Sequence, residues 1–408
     1  MQMIPDRLPP AGERGAIAWL RRNLFSGTVN AIVSIALGSF VALSLFNLGR
    51  WMLTGASWQP VWNNMKLLAI YRYPAELAWR PIIAVGVLLM LTGLTAALGQ
   101  RVGKGKIMTG VYFWFGSLAW FLTLVALIAW PSVRVAWLLA TLMSVAGYAI
   151  GWYVPRVVRA QSWLWAAGLP IVLVLIYGVG GSGSFAVVGT SQWGGFLLTV
   201  VIAAFGITVS FPLGIALALG RRSNLPAIKY FSIGFIEVIR GAPLITWLFI
   251  ASLMVPLLLD VAPDSIPALT RALVAVTLFS AAYMAENVRG GLQSVPNGQR
   301  EAARALGLSG WQTTRLIVLP QALRAVIPVL VGQAIGLFKD TSLVFIVGLH
   351  DFFEIGRRVI PSQPESLLYP GGVLLEISVF MAFAYFFFTY RMSIASRQLE
   401  KELGVGER

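Results

Sequence analysis

Long apolar runs alternate with short polar loops along almost the whole chain. Stretches such as Ile82–Leu98, Leu118–Trp130 and Phe196–Leu219 hold almost no charge. A helix needs roughly 20 apolar residues to cross a bilayer, whereas core helices of soluble domains are shorter and amphipathic. Ten runs qualify as candidate spans, near 28–49, 81–99, 110–130, 134–153, 163–181, 195–219, 229–259, 269–289, 325–349 and 371–390. The seventh is long, and Gly241-Ala242-Pro243 is expected to break it. Arg7, Arg14, Arg21 and Arg22 precede the first run, but Thr28–Gly49 is too long for a signal h-region, so it is expected to be a retained span.

Composition agrees. The chain is 58% hydrophobic and 12% charged, against about 45–50% and about 25% for soluble domains. The fold class is therefore an all-α integral membrane protein. A net charge of +15 raises the question of nucleic acid, but the basic residues form no single patch. They sit in short loops, where they set topology. With the N-terminus inside, the inner loops carry Arg101, Lys104 and Lys106, then Arg156 and Arg159, then Arg221 and Arg222, then Arg300, Arg304 and Arg315. An even span count then puts both termini inside. Outer segments are balanced or acidic, as at Asp260 and Asp264. The exception is 50–80, which holds Arg50, Lys66, Arg72 and Arg80 with four tryptophans, and is expected to lie at the interface. The chain has no cysteine and one histidine, His350, so no metal cluster is expected. No P-loop is present: Gly103-Lys104 and Gly105-Lys106 lack its spacing.

The chain divides by chemistry near residue 190. Spans before it contain few charges, whereas spans after it contain Glu237, Arg240, Glu286, Lys339 and Asp340. Such groups cost about 2.5–3.5 kcal/mol at membrane depth and persist when paired or facing a cavity. The stretch 294–324 is a long polar loop on the inner side. Pro296 ends the preceding span, and Gln299–Leu306 holds good helix formers with a slim alanine face. Gly307 suits the left-handed position after a helix. Ser309 and Gln312 have capping-box spacing, so a second short helix begins there, ending or kinking at Leu319-Pro320. The alternative for Glu301–Gly307 is an amphipathic helix lying on the bilayer surface.

Glu301-Ala302-Ala303, Gly307 and Ile317-Val318-Leu319-Pro320 match the EAA signature of ABC-importer permeases. Glu237–Leu244 resembles the E-x-x-R-G-[ST]-P-L segment of polar amino-acid permeases, with Ala242 departing from the usual hydroxyl. Tyr283–Glu286, Val288–Gly291 and Lys339-Asp340-Thr341-Ser342-Leu343 extend the resemblance, which covers roughly 190–395. The whole chain is similar to a permease subunit of general L-amino-acid importers of Gram-negative bacteria.

The resemblance implies a non-catalytic subunit of an importer for polar L-amino acids in a bacterial inner membrane. The expected parts are a helical extension over 1–190, a five-helix type I importer core over 191–395, a coupling loop over 294–324 and a cytoplasmic tail over 396–408. It implies partners: a dimer of ATPase subunits binding ATP and Mg, a periplasmic amino-acid-binding protein, and a second permease, which is either a related chain or another copy. No cofactor is expected in this chain. Glu301, Ala302, Ala303, Ala305, Leu306, Gly307 and Leu308 would contact the ATPase. Asp340, Thr341, Ser342 and Glu286 are candidates for the substrate pathway, and Glu237, Arg240, Gly241, Pro243 and Pro320 for structure or gating. Alternatives stay open. Lys339 and Asp340 could pair with each other, Glu286 could pair with Arg240 or Arg289, and Glu237 and Arg240, as i, i+3 neighbours, could form an internal ion pair. The rival reading is a gradient-driven transporter or channel, and a membrane enzyme is a poor third.

Overall fold

The computed structural model describes residues 16–101, 130–262, 265–369 and 372–403. The predicted span near 110–130 and Lys104, Lys106 and Asp264 lie outside them. Among the described residues there are helices, turns and two isolated bridges, but no strand. The main helices are α1 (Ala16–Asn23), α2 (Thr28–Thr54), α3 (Trp79–Arg101), α4 (Arg134–Tyr153), α5 (Gln161–Tyr177), α6 (Gly195–Gly220), α7 (Pro226–Arg240), α8 (Leu244–Phe249), α9 (Ala268–Ser294), α10 (Asn297–Ala305), α11 (Leu319–Asp340) and α12 (Leu374–Leu403).

Seven helices among the described residues are long and apolar enough to cross a membrane, or eight if one bent pair counts as a span. The bent pair is Pro226–Arg240 with Leu244–Leu258, turned by 102° at the expected Gly241-Ala242-Pro243 break. The run near 163–181 is shorter than expected. It forms a helix of 17 residues that stops at Tyr177, because Gly178 takes a φ of +93° and turns the chain away. Pro256 lacks the N–H that would bond Ser252, and the freed Ser252 carbonyl instead accepts Arg271 Nη1 at 2.6 Å.

Two compact units are present, 1–58 and 59–408. In the first, α2 has no buried residue. The second joins the two chemically distinct halves, so the change near residue 190 is one of composition and not of packing. Small residues let its helices meet without polar glue. Gly206, Ser210, Gly214 and Ala218 repeat every four residues on the buried face of α6. A Cβ on Gly214 would sit 2.5 Å from the Met284 Cβ on α9. A similar stripe on α4, through Ala136, Ala140, Ser144, Gly147 and Gly151, faces α3, where a Cβ on Gly151 would lie 2.5 Å from the Leu94 carbonyl.

Two of the four basic residues of 50–80, Arg80 and Arg72, have structural partners. Arg80 is fully buried, and its guanidinium donates to the carbonyls of Leu175 at 2.6 Å, Ala186 at 2.7 Å and Val174 at 3.4 Å. Tyr73 adds a bond to Ile176 O at 2.7 Å. The cation thus caps the C-terminal end of α5, where free carbonyls and the helix dipole favour positive charge. Arg72 lies over the Tyr71 ring at 5.3 Å. These charges serve packing, so they do not read as a topology signal.

Candidate functional site

The 294–324 loop is compact. Helix α9 ends at Ser294, and α10 begins at Asn297 after Pro296. Gly307 has φ +78°. Its N–H donates to Arg304 O at 2.9 Å, and Leu308 N–H donates to Ala303 O at 3.1 Å. These two bonds are a Schellman stop, with Leu308 and Ala303 as its apolar pair. Ser309 then opens the next helix through a full capping box: its N–H donates to Gln312 Oε1 at 2.8 Å, and Gln312 N–H donates to Ser309 Oγ at 3.3 Å. Two sequence expectations, the left-handed glycine and the box, therefore appear as drawn.

Of the two alternatives at Leu319-Pro320, an end or a kink, the end is excluded. From Gly310 the second helix passes through a π turn, Thr313–Val318, directly into α11. Proline has no N–H to donate and its ring crowds the carbonyl four residues back. The widened turn ahead of Pro320 fits this, and the helix continues. The loop is thereby continuous with a membrane helix at one end and joined to α9 by a two-residue turn at the other.

Side chains pin α10 in place. Arg300 Nη2 donates to Leu292 O at 2.7 Å, and Arg222 Nη1 reaches the same carbonyl at 3.4 Å. Burial and the neighbouring Arg300 charge hold the Arg222 pKa below the usual guanidinium value. Gln321 Nε2 donates to Gln299 Oε1 at 3.3 Å. Ala303 faces inward, while Glu301, Ala302, Ala305, Leu306 and Gly307 are exposed and Leu308 is half-buried. Leu306 is 82% exposed and Trp311 63%, an apolar tip on a polar loop.

Behind the loop lies a charged hub. Glu286 on α9 accepts from Arg289 Nε at 2.9 Å and also bonds Arg289 Nη2. It lies 3.5 Å from Arg221 Nη1 and 3.5 Å from Arg240 Nη1. Arg221 also bonds Glu237 at 3.0 Å. The expected Glu237–Arg240 pair is therefore corrected. Arg240 instead lies over the Tyr283 ring at 5.3 Å and reaches Glu286, which is one turn further along the same face of α9. The hub ties the ends of α6 and α7 to α9 just before the Gly241–Pro243 break. Glu286 is paired, as one of its open alternatives had it. Arg221 was legible only as a topology marker, because its partners are distant in sequence.

Asp340, Thr341 and Ser342 lie elsewhere. Met284 of α9 packs against Val326 and Leu330 of α11, so Asp340 is ~15 Å further along α11 than that contact. Thr341 is fully buried, and its hydroxyl donates to Phe338 O at 2.9 Å. Asp340 is half-buried and Lys339 exposed, and no ion pair joins them. Ser342 is half-buried. Sequence reasoning missed Asn287 and Gln333, whose amides bond at 2.8 Å between α9 and α11. Uncharged amides inside apolar runs were the available signal.

Fold and site together define a multi-span membrane protein with an exposed loop joined directly to two of its long apolar helices. Residues 210–403 match the family of binding-protein-dependent transport system inner membrane components. The glutamate/glutamine/aspartate/asparagine transport system permease protein BztC of Rhodobacter capsulatus is 36% identical over 98% of this chain and 97% of its own. The inner membrane amino-acid ABC transporter permease protein YhdY of Escherichia coli is 49% identical over 59% of this chain and 64% of its own. A crystal structure of an amino acid ABC transporter with histidines aligns at 29% identity and TM-score 0.44, covering 50% of this chain and 91% of that one. The chain belongs to the family of ABC-importer permeases, the inner-membrane components of binding-protein-dependent transport.

Proposed function

We propose that this chain is the permease subunit through which an ATP-driven importer moves polar L-amino acids across a bacterial inner membrane. The observation that carries the reading is the 297–320 loop: a Schellman-stopped helix exposing Glu301, Ala302, Ala305, Leu306 and Gly307, followed by a capped helix that runs from Gly310 without a break into α11. A separate ATPase dimer, using ATP and Mg, grips that helix and drives it. Acidic and amide amino acids are the substrate class, in line with the glutamate, glutamine, aspartate and asparagine that the relative BztC is named for transporting. The loop end faces the cytoplasm with both termini. A periplasmic binding protein delivers substrate at the opposite end.

In this reading residues 191–395 form the transmembrane domain and 1–190 an extension, and a related permease completes the pathway as a heterodimer. The hub of Glu286, Glu237, Arg240 and Arg221 acts as a structural latch beside the Gly241–Pro243 bend. Asp340, Thr341 and Ser342 are the pathway candidates. Membership in the importer family favours this reading over a gradient-driven transporter. The test is reconstitution of the complex in proteoliposomes with labelled glutamate and glutamine. Uptake should require ATP and the binding protein. Downhill flux through the permease alone would refute the proposal.

A further inference from the structure

Helices α9 and α11 both leave the coupling loop, so any pull on the loop acts on both. Their contact near the loop is apolar. Ala285, Val288, Leu292 and Val295 pack with Val318 and Ala322, and Met284 packs with Val326 and Leu330. The backbones touch where a Cβ on Gly291 would lie 2.6 Å from the Ala322 carbonyl. In lipid such a contact has little drive of its own, because lipid tails are as apolar as leucine. Smooth apolar faces can also slide.

Gln333 supplies what the apolar contact lacks. Its Nε2 donates to Ser280 O at 2.8 Å, and its Oε1 accepts from Asn287 Nδ2 at 2.8 Å. One side chain of α11 thus grips two points of α9 that are seven residues, about two turns, apart. A slide in either direction breaks at least one bond. The amide borders a void of about 10 Å3, room for about one water. Across it, Ser210 of α6 spends its hydroxyl on its own helix, donating to Ile207 O at 3.2 Å. Both hydrogen bonds of the Gln333 amide go to α9.

We propose that Gln333, with Asn287, is a positioning residue for transport: it locks α9 to α11, so that the hairpin α9–loop–α11 moves as one rigid body when the loop is driven. The inference rests on the coupling reading of the loop. If the chain engages no ATPase, the unaltered complex shows no ATP-driven uptake, and that failure is seen before any variant is compared.

The test uses the whole complex in proteoliposomes, reading ATP hydrolysed and amino acid transported side by side. In Gln333→Leu, hydrolysis should stay within about twofold while transport per ATP falls about five- to tenfold, as expected for losing a membrane amide clasp. Asn287→Leu should do the same, and the double variant should be no worse than Gln333→Leu. Independent, multiplying losses would overturn the proposal, as would full transport per ATP in Gln333→Leu. The chain has no cysteine, so the pair Met284→Cys and Leu330→Cys can be bridged cleanly. Bridging should leave transport intact in the otherwise native chain and restore it in Gln333→Leu. Loss of transport on bridging the native background would show that α9 and α11 must slide, which would overturn the proposal even where Gln333→Leu fails to assemble.

Discussion

Replacing Gly307 separates shape from bulk at the coupling loop. Its φ of +78° lies in the left-handed region, and a Cβ built there meets nothing within 4 Å. Within this chain, any penalty for a side chain is therefore conformational. For an ordinary L-residue it is about 1 kcal/mol, and the two Schellman bonds from Gly307 and Leu308 N–H depend on that conformation. About 1 kcal/mol corresponds to roughly a fivefold rise in the open population of the stop. Hydrogen exchange at the Leu308 amide should accelerate by that factor in Gly307→Ala. Asparagine tolerates the left-handed region, so Gly307→Asn should lie between glycine and alanine although it is larger. Gly307→Val should be worst, since branching at Cβ makes the conformation an outlier. ATP-driven uptake should fall in the same order. If bulk against a partner were the cause, asparagine would be worse than alanine. That order, or equal exchange rates in all variants, would refute the argument.

Other consequences can be measured on the chain in detergent. Arg80→Met removes the guanidinium donors from the carbonyls of Leu175 and Ala186 and should cost about 2–4 kcal/mol of stability. Arg80→Lys should recover part of this, since an ammonium lacks the guanidinium fork. Glu286→Gln should destabilise by about 2 kcal/mol, less than a fully buried pair because the partners are partly exposed. A double-mutant cycle with Arg221→Gln should show coupling between them. Asp351 is buried and caps a turn by accepting the N–H groups of Phe353 and Glu354, and burial pushes its pKa up to about 6. Because the folded value lies above the ordinary one, the protonated form is favoured by folding. Stability should fall as pH rises from about 4 to about 6, by about 2–3 kcal/mol in all. Asp351→Asn keeps the cap and should flatten that dependence in a melting series across pH.

Much of this architecture was legible because membranes impose simple rules on sequence. Apolar run length located the seven long apolar helices among the described residues, and a Gly-Ala-Pro triplet located the bent pair. The loop was legible in detail because capping is local: Gly307, Ser309 and Gln312 act over three or four residues. Long-range pairing was not legible. Arg80, Arg221 and Arg222 all read as surface charges, yet one caps a helix 95 residues away and another joins a carboxylate 65 residues away. The fate of Pro320 also escaped, since proline predicts a disturbed helix without saying whether it ends or widens.

The central claim is that residues 301–307 meet an ATPase and pass its motion to the helices behind them. With no native cysteine, Leu306→Cys gives a unique thiol at an exposed tip. The account predicts that a thiol crosslinker joins this position to the ATPase subunit in assembled complexes, and that joining them changes ATP-driven uptake. Labelling of the same thiol from the periplasmic side of intact cells, with no crosslink to the ATPase, would contradict it.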